Sequence, residues 1–213
     1  MSNRLARGLT RRGFLKGAGV AAAGAALADG IAVAAEQVQQ AKESRPVLGP
    51  GPVPITLKVN GQDKKLQVEP RTTLAEALRF KADLTGTKVV CDRGACSACT
   101  VFIDNVPHLA CMTLALDARG REIKTIEGLA QGDTLHPVQE QFIEHDAMQC
   151  GFCTPGMIMS CAALLEKNKN PTLDDVKHAC SGNLCRCGTY PKVFDATLAA
   201  AKQMNAVNGG KNA

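Results

Sequence analysis

The chain has 213 residues and a formal net charge of +5, and this length fits one or two small domains. Residues 1–35 hold five basic residues against Asp29 alone, so four of the five net positive charges belong to the N-terminus. The remainder is nearly neutral, which excludes an extended basic surface for nucleic acid. Aromatic residues make up only 3% of the chain, so its domains need another source of stability, such as bound metal.

The N-terminus has the pattern of an export signal. Residues 10–16 read TRRGFLK and resemble a twin-arginine (Tat) signal, and the Ala/Gly-rich run at 17–35 is too weakly hydrophobic for a membrane span. Ala32-Val33-Ala34 offers a cleavage site, with a cut after Ala35 also open. We predict a Tat-type signal peptide over residues 1–35 and a periplasmic protein that is exported already folded. The alternative is a basic tail that stays attached.

Three short segments follow the N-terminus. Residues 36–53 are polar and then rich in Pro and Gly, which predicts a linker. Residues 54–70 alternate apolar and polar side chains around Asn60-Gly61, which predicts a β-hairpin. Thr73 and Glu76 then form the sequence pattern of a capping box at the start of a helix.

The first group of cysteines has the spacing of a plant-type [2Fe–2S] loop, Cys-x4-Cys-x2-Cys followed by a fourth thiol. Small residues between the ligands allow the loop to bend sharply and its N–H groups to point at the sulfurs. The order strand, strand, helix, loop, strand resembles the β-grasp fold, which predicts a ferredoxin-like domain over residues 54–128. Structural zinc is the alternative, although zinc sites usually present two short Cys-x2-4-Cys pairs. The four cysteines are Cys91, Cys96, Cys99 and Cys111.

Residues 129–205 predict a bundle of four short helices. The helical segments are 136–148, 154–167, 171–183 and 189–204. Pro137 marks the first turn of one helix, and Thr172 with Asp175 forms a cap for another. Residues 206–213 are predicted to be a disordered tail.

A second group of four cysteines stands before two of these helices. Cys150 and Cys153 lie in QCGFCTPG, and Cys185 and Cys187 lie in CRCG. Helix N-termini present free N–H groups that suit an anionic cluster, so we expect the pair at each N-terminus to hold one iron. The same set of thiols also fits zinc, which stays open at this point.

The two motifs together, CDRGACSACTV…C and QCGFCTPG…GNLCRCGTY, are similar to the iron–sulfur subunit of the molybdenum hydroxylases, the xanthine dehydrogenase/aldehyde oxidoreductase family. The resemblance covers residues 54–203. It implies an α+β chain in which an N-terminal β-grasp domain and a C-terminal four-helix domain each carry one [2Fe–2S] cluster. The implied ligands are Cys91, Cys96, Cys99 and Cys111 for the first cluster, and Cys150, Cys153, Cys185 and Cys187 for the second.

The resemblance also implies partners. A large subunit with the molybdenum cofactor would oxidise an aldehyde or an N-heterocycle, and Gln149 and Cys187 match positions that approach its pterin. Electrons would leave through the first cluster to an FAD-binding subunit or a c-type cytochrome. This chain would be the electron-transfer subunit of the oxidoreductase, with no catalytic residue of its own. The alternatives are a free-standing exported ferredoxin-like carrier and a zinc-binding structural module.

Two positions depart from the usual family pattern. Ser97 stands where the family usually has Gly, and Cys187 is followed by Gly188-Thr189-Tyr190 rather than Thr-Gly-Tyr. We expect the small Ser97 hydroxyl to fit, where it is a candidate donor to a cluster sulfur and shifts the reduction potential. All eight ligands remain intact.

The other candidate residues have weaker signals. Cys161 and Cys180 fall on apolar stripes of their helices and are predicted to be buried as small apolar side chains, with a disulfide between them open after export. Arg186 is either a charge partner of the second cluster or a solvated turn residue. The histidines lack the spacing of a Rieske site. We expect His136 and His145 to cap or solvate one helix and His108 and His178 to lie on the surface.

Overall fold

The computed structural model of the protein describes residues 48–209. The predicted signal peptide at 1–35 lies outside them, as does the predicted linker up to residue 47. Within the described residues the chain forms five β-strands and five α-helices. The strands are β1 Val53–Val59, β2 Gln62–Val68, β3 Thr100–Ile103, β4 Val106–Leu109 and β5 Glu122–Lys124. The helices are α1 Leu74–Phe80, α2 Pro137–Glu144, α3 Thr154–Lys167, α4 Leu173–Ala179 and α5 Tyr190–Gly209.

The predicted hairpin is confirmed by β1 and β2, which pair antiparallel along their full length. Asn60 and Gly61 connect them with φ angles of 52° and 76°. A two-residue turn of this kind needs positive φ at both positions, and Asn and Gly adopt it at low energy. The alternation in β1 places Ile55, Leu57 and Val59 in the core, while the residues between them face solvent.

The sheet has the strand order β2-β1-β5-β3-β4, in which β1 and β5 are parallel and the other neighbours antiparallel. Helix α1 begins with the predicted capping box between Thr73 and Glu76, and it packs Leu74 and Leu78 into the core of the sheet. This mixed sheet with a packed helix confirms the ferredoxin-like class. The short strands β4 and β5 have no counterpart in the predicted elements.

Helices α2 to α5 confirm the predicted four-helix region and share a second core. The prediction of a disordered tail from residue 206 is wrong for residues 206–209, because α5 continues through them. Its last turns are anchored by Asn205, whose side chain donates to the Lys169 carbonyl and to Asn170. Such a contact across 35 residues leaves no local pattern. Residues 210–213 lie outside the described part. Between residues 48 and 209, no helix has both the length and the apolar character needed to cross a membrane.

Strand β3 joins the two cores, because all four of its residues are buried. Val101 and Ile103 face the core of the sheet, whereas Phe102 projects from the opposite face into the helical core. Helix α3 packs across β3, and its Gly156 approaches the first cysteine loop so closely that an added Cβ would lie 2.3 Å from the Ser97 carbonyl oxygen. The glycine therefore sets the distance between helix and loop.

Candidate metal centres

The first four cysteines lie in and after the loop that connects α1 to β3. Cys96, Cys99 and Cys111 are buried, with 6%, 3% and 6% of their surface exposed, and Cys91 is half-buried. The thiols influence one another in two pairs: after the Arg93 N–H and before other backbone donors, the Cys96 thiol lowers the pKa of Cys91, and the Cys99 sulfur accepts from the Cys111 N–H over 3.5 Å. Each pair therefore consists of two cysteines that are successive in the sequence.

The backbone of this loop turns its N–H groups toward sulfur. Asp92, Gly94 and Ser97 have φ angles of 51°, 74° and 53°, which reverse the local direction of the chain. As a result, the Ala95 N–H lies within hydrogen-bond distance of the Cys91 sulfur, with 3.2 Å between N and Sγ. Donors at this position stabilise a thiolate and tune a metal held by it.

The backbone conformation at Ser97 explains why the family usually has glycine at this position. A φ of 53° is unfavourable for a residue with a Cβ by about 1–2 kcal/mol, and glycine adopts it freely. The Ser97 hydroxyl faces Gly182, where an added Cβ would lie 3.1 Å from the hydroxyl oxygen. Donation from this hydroxyl to a cluster sulfur stays a prediction.

The second four cysteines come from two segments that helix packing places side by side. Cys150 and Cys153 precede α3, and Cys185 and Cys187 precede α5. The contacts between thiols join the segments: Cys187 donates to Cys150 over 3.5 Å, and the pKa of Cys153 is raised first by burial and then by the Cys185 thiol. The expectation that each helix N-terminus holds an iron with its own two cysteines stays a prediction, and these contacts favour pairs that take one thiol from each segment.

The thiols of each group differ in acidity, and in the second group both Cys150 and Cys185 have a lowered pKa, that of Cys150 mainly through the Phe152 N–H. Burial away from water raises the pKa of Cys99 and of Cys153 to about 12. The backbone N–H of Arg93 leads the contacts that lower the pKa of Cys91 to about 7. Burial acts against ionisation of Cys185 as well, but donors led by the Thr189 hydroxyl hold its pKa at about 7. A bound metal cation must therefore displace protons from the buried thiols.

A buried hydrogen-bond network positions the segment before Cys185, and the sequence did not single it out. The Tyr190 hydroxyl accepts from the Cys185 N–H over 2.8 Å and donates to the Asn183 carbonyl over 2.9 Å. Asn183 is only 3% exposed, and its side-chain amide donates to the Ser97 carbonyl over 3.3 Å. Both residues stand in the motif GNLCRCGTY, so their presence was visible, although their contacts were not.

The two groups of cysteines approach each other directly. The Leu184 N–H donates to the Cys96 carbonyl over 3.1 Å, which links a residue next to Cys185 with a residue of the first group. A cavity of 490 Å³ lies along this junction. Its walls are Val90, Cys91, Cys96, Ala98, Cys150, Phe152, Cys153, Leu184, Cys185, Arg186 and Tyr190.

The remaining predicted residues lie around this framework. Gln149 is exposed, and its side chain donates to the Cys187 carbonyl over 3.4 Å, so the two residues predicted to approach a pterin lie together. His136 caps the start of α2 by accepting from the Val138 N–H, and the ring of His145 contacts the last turn of the same helix, as predicted. Three other residues were singled out in the sequence: His178 is exposed, His108 is half-buried on β4, and Arg186 is exposed on the cavity wall.

The thiols present fit iron–sulfur groups. Within each set of four cysteines the side chains interact two by two. A [2Fe–2S] group would take four protein thiolates, so each set would hold one such group.

The chain matches two domain families in sequence order. Residues 57–121 match the 2Fe-2S iron-sulfur cluster binding domain, and residues 125–198 match the [2Fe-2S] binding domain. Fold and cysteine geometry thus define a protein built from two consecutive [2Fe–2S]-binding domains, the first on a sheet and the second on a helical bundle.

Comparison with related proteins shows which family this chain belongs to. The chain is 41% identical to the aldehyde oxidoreductase iron-sulfur-binding subunit PaoA of Escherichia coli O157:H7, over 92% of this chain and 90% of that one. It is 46% identical to the nicotine 6-hydroxylase small subunit of Paenarthrobacter nicotinovorans, over 74% and 94%. It also superposes on a chain of quinoline 2-oxidoreductase from Pseudomonas putida 86 with a TM-score of 0.69 and 44% identity, over 71% and 94%. The chain belongs to the family of [2Fe–2S] subunits of the molybdenum hydroxylases.

Proposed function

We propose that this chain is the electron-transfer subunit of an exported molybdenum hydroxylase. It holds one [2Fe–2S] cluster in the sheet domain and a second in the helical domain. Electrons from a molybdenum-cofactor subunit that oxidises an aldehyde or an N-heterocycle pass through this chain to an FAD-binding subunit or a c-type cytochrome. The proposed ligands are Cys91, Cys96, Cys99 and Cys111 for the first cluster, and Cys150, Cys153, Cys185 and Cys187 for the second.

The observation that carries this proposal is the hydrogen bond from the Leu184 N–H to the Cys96 carbonyl. Leu184 is covalently next to Cys185, so one hydrogen bond and a few covalent bonds join a ligand of one group to a ligand of the other. Electron tunnelling weakens less steeply along bonded atoms than across empty space. A protein that only bound metal, without passing electrons, would need no such contact between its two sites.

The clusters, when bound, supply reversible one-electron chemistry. The residues of this chain hold them in place and set their surroundings. Burial of Cys99 and Cys111 keeps water from one side of the first site, whereas the second site opens to the surface at Cys150. Backbone donors to Cys91 and Cys185 stabilise negative charge on those sulfurs. The two sites therefore differ in polarity, which favours different reduction potentials.

The exposed end of the second site is the candidate contact with the molybdenum subunit. Gln149 and Cys150 are exposed there, and Gln149 is hydrogen-bonded to the Cys187 carbonyl. A side-chain amide can donate to and accept from a heterocyclic edge such as that of a pterin. The relatives support this partner, since their names describe them as subunits of aldehyde and N-heterocycle oxidising enzymes.

The decisive measurement is iron and acid-labile sulfide per chain in anaerobically purified protein, together with the electron paramagnetic resonance spectrum of its reduced form. We expect about four irons, about four sulfides and two distinguishable signals. Two irons and one zinc per chain would instead limit electron transfer to the sheet domain and contradict the proposal.

Purification with native partners separates the subunit from a free-standing carrier. We expect the tagged chain to bring down a large molybdenum-containing subunit and, in the complex, to reduce an electron acceptor when an aldehyde or an N-heterocycle is added. A cluster-loaded chain that purifies alone from its native host, with no such activity, would favour the exported ferredoxin-like carrier.

Export rests on the sequence TRRGFLK and is proposed on that basis. We expect the chain to be recovered from the periplasm, shortened near Ala35. A variant with both Arg11→Lys and Arg12→Lys should stay in the cytoplasm at full length, whereas Arg4→Lys is the matched control and should be exported. Export of the double variant at the normal rate would reject the Tat assignment.

A further inference from the structure

Two cysteines outside the cluster sites lie against each other in the helical core. The Sγ atoms of Cys161 and Cys180 are 3.6 Å apart, and the side chains are 0% and 2% exposed. The predicted burial of both residues is confirmed. Cys161 lies in the middle of α3, whereas Cys180 caps the C-terminus of α4. The pair therefore bridges two helices.

The position of Cys180 ties this pair to the second cluster site. Its carbonyl accepts from the Asn183 N–H over 2.9 Å, and Asn183 belongs to the network that holds the Cys185 N–H. Cys161 lies in the same helix that starts beside Cys153. A covalent bond between Cys161 and Cys180 would thus connect the two segments that supply the second group of cysteines.

We propose that Cys161 and Cys180 are a reversible redox pair, in which a thiol–disulfide exchange oxidant converts the two thiols to a disulfide that joins α3 to the end of α4. The inference is independent of the proposed electron transfer, since neither sulfur is a proposed cluster ligand. It requires the sulfurs to move from 3.6 Å to the bonded distance of about 2.05 Å. Cys180 is the C-cap of α4, and its N–H donates to carbonyls in the last turn of that helix. Because no helical turn follows it, the helix places little constraint on rotation of its side chain.

The reaction balances as two exchange steps. The sulfur of Cys180 attacks the disulfide of the oxidant, forms a mixed disulfide and expels one thiolate. The sulfur of Cys161 then attacks Cys180 and expels the second thiolate, so two protons and two electrons have left the protein. Cys180 is the natural entry point, because it ends α4 beside the exposed Ser181 and Gly182, where local opening of the turn uncovers its sulfur, and because a hydrogen bond from Cys161 lowers its pKa.

The Thr197 hydroxyl completes the surroundings of the pair. It lies 3.1 Å from the Cys161 sulfur and donates to the Val193 carbonyl over 2.7 Å, which places a polar atom of α5 against the buried sulfurs. Closing a loop of 19 residues should restrict the unfolded chain and raise the melting temperature by roughly 5–10 °C.

The test uses full-length, cluster-loaded protein equilibrated in buffers of reduced and oxidised glutathione. After acid quenching, denaturation, alkylation and digestion, mass spectrometry should find a peptide cross-linked between Cys161 and Cys180 in the oxidising buffers only. The melting temperature should rise in wild type and stay constant in Cys180→Ala and in Cys161→Ala. Each variant is compared with itself across buffers, so a general loss of stability does not affect the result.

Iron content in every sample keeps this test separate from the proposed function. A cross-link with unchanged iron supports the redox pair whether or not electrons pass through the chain. Alkylation of both sulfurs in the most oxidising buffer, with an unchanged melting temperature, would overturn the inference and leave two buried thiols in ordinary core packing. A mixed disulfide with glutathione alone would overturn it as well.

Discussion

The two cysteine groups solve the same ligand problem in different ways. The first group lies within residues 91–111, and three of its four thiols are buried, two of them in the core of the sheet. The second group comes from two segments, Cys150–Cys153 and Cys185–Cys187, and Cys150 is exposed. A continuous loop can place its ligands through its own backbone, whereas two separate segments need helices to bring them together. The first site is therefore local, and the second depends on tertiary packing.

Ligand removal should show this difference most strongly. We expect Cys187→Ser to lose about half of the iron with little change in the sheet domain. Cys99→Ser should lose the other half and also lower the stability of the protein, because its hydroxyl replaces a thiol that is only 3% exposed. Iron content, visible absorbance and thermal unfolding measure both effects. Cys161→Ala is the control and should retain all iron, whereas wild-type iron in Cys187→Ser would reject the second ligand set.

The contact between helix and loop tests whether the local site is also independent. In Gly156→Ala the added Cβ would lie 2.3 Å from the Ser97 carbonyl oxygen, so α3 must move away from the first loop. We expect a loss of about 2–3 kcal/mol in urea unfolding, although alanine has the better helix propensity. Gly51→Ala is the matched control, because its added Cβ meets nothing within 4 Å. Equal stability of the two variants would show that the sites pack independently.

The Tyr190 hydroxyl, which bonds only within the segment before α5, should matter to the second site alone. Tyr190→Phe removes the acceptor of the Cys185 N–H and the donor to the Asn183 carbonyl, and we expect a loss of about 1–3 kcal/mol and weaker retention of the second cluster. Asn183→Ala keeps the carbonyl that accepts from Tyr190 but removes the side-chain bond to the Ser97 carbonyl, so both substitutions loosen residue 183. The double variant should therefore lose less than the sum of the two single variants. Additive losses, or an altered spectrum of the first cluster in Tyr190→Phe, would contradict this arrangement.

A pH effect should arise in the helical domain through His136. Burial leads the influences that lower the pKa of His136, and its neutral Nδ1 accepts from the Val138 N–H at the start of α2. Because the folded protein disfavours the protonated ring, its stability is present above the unfolded pKa of about 6.5 and declines as the pH falls below it. His136→Asn keeps a capping acceptor that does not titrate. Thermal unfolding from pH 8 to 5 should show a smaller decline for this variant than for wild type.

The smallest expected effect is on the backbone of the first loop. Ser97→Gly relieves a positive φ, but it also gives the unfolded chain more freedom, so we expect a net stabilisation below about 1 kcal/mol. The reduction potential of the first cluster should change while that of the second stays constant. Ser160→Gly, a change within α3, is the contrasting control and should destabilise the protein. A marked loss of stability in Ser97→Gly would show that the Ser97 hydroxyl makes a stabilising contact that outweighs the strain of the positive φ.

Local patterns were sufficient for much of this structure. The Asn60-Gly61 turn, the capping box at Thr73 and the four helices were readable because each depends on residues close in sequence. The cysteine spacing of the first group was readable for the same reason. Strands β4 and β5 were missed, since three or four residues with Pro107 among them have little periodicity, and their partners lie on distant strands.

Residue types and spacing are enough to indicate the type of chemistry and the order of the two domains, because soft thiolates at fixed spacing define an iron–sulfur site. Three contacts could be found only in the folded chain: Cys187 with Cys150, Cys161 with Cys180, and the Leu184 N–H with the Cys96 carbonyl. These contacts depend on the packing of α3 against β3 and the first loop, and of α3 against α4 and α5. The distance between such elements is set by close contacts like that of Gly156, which have no signature in sequence spacing.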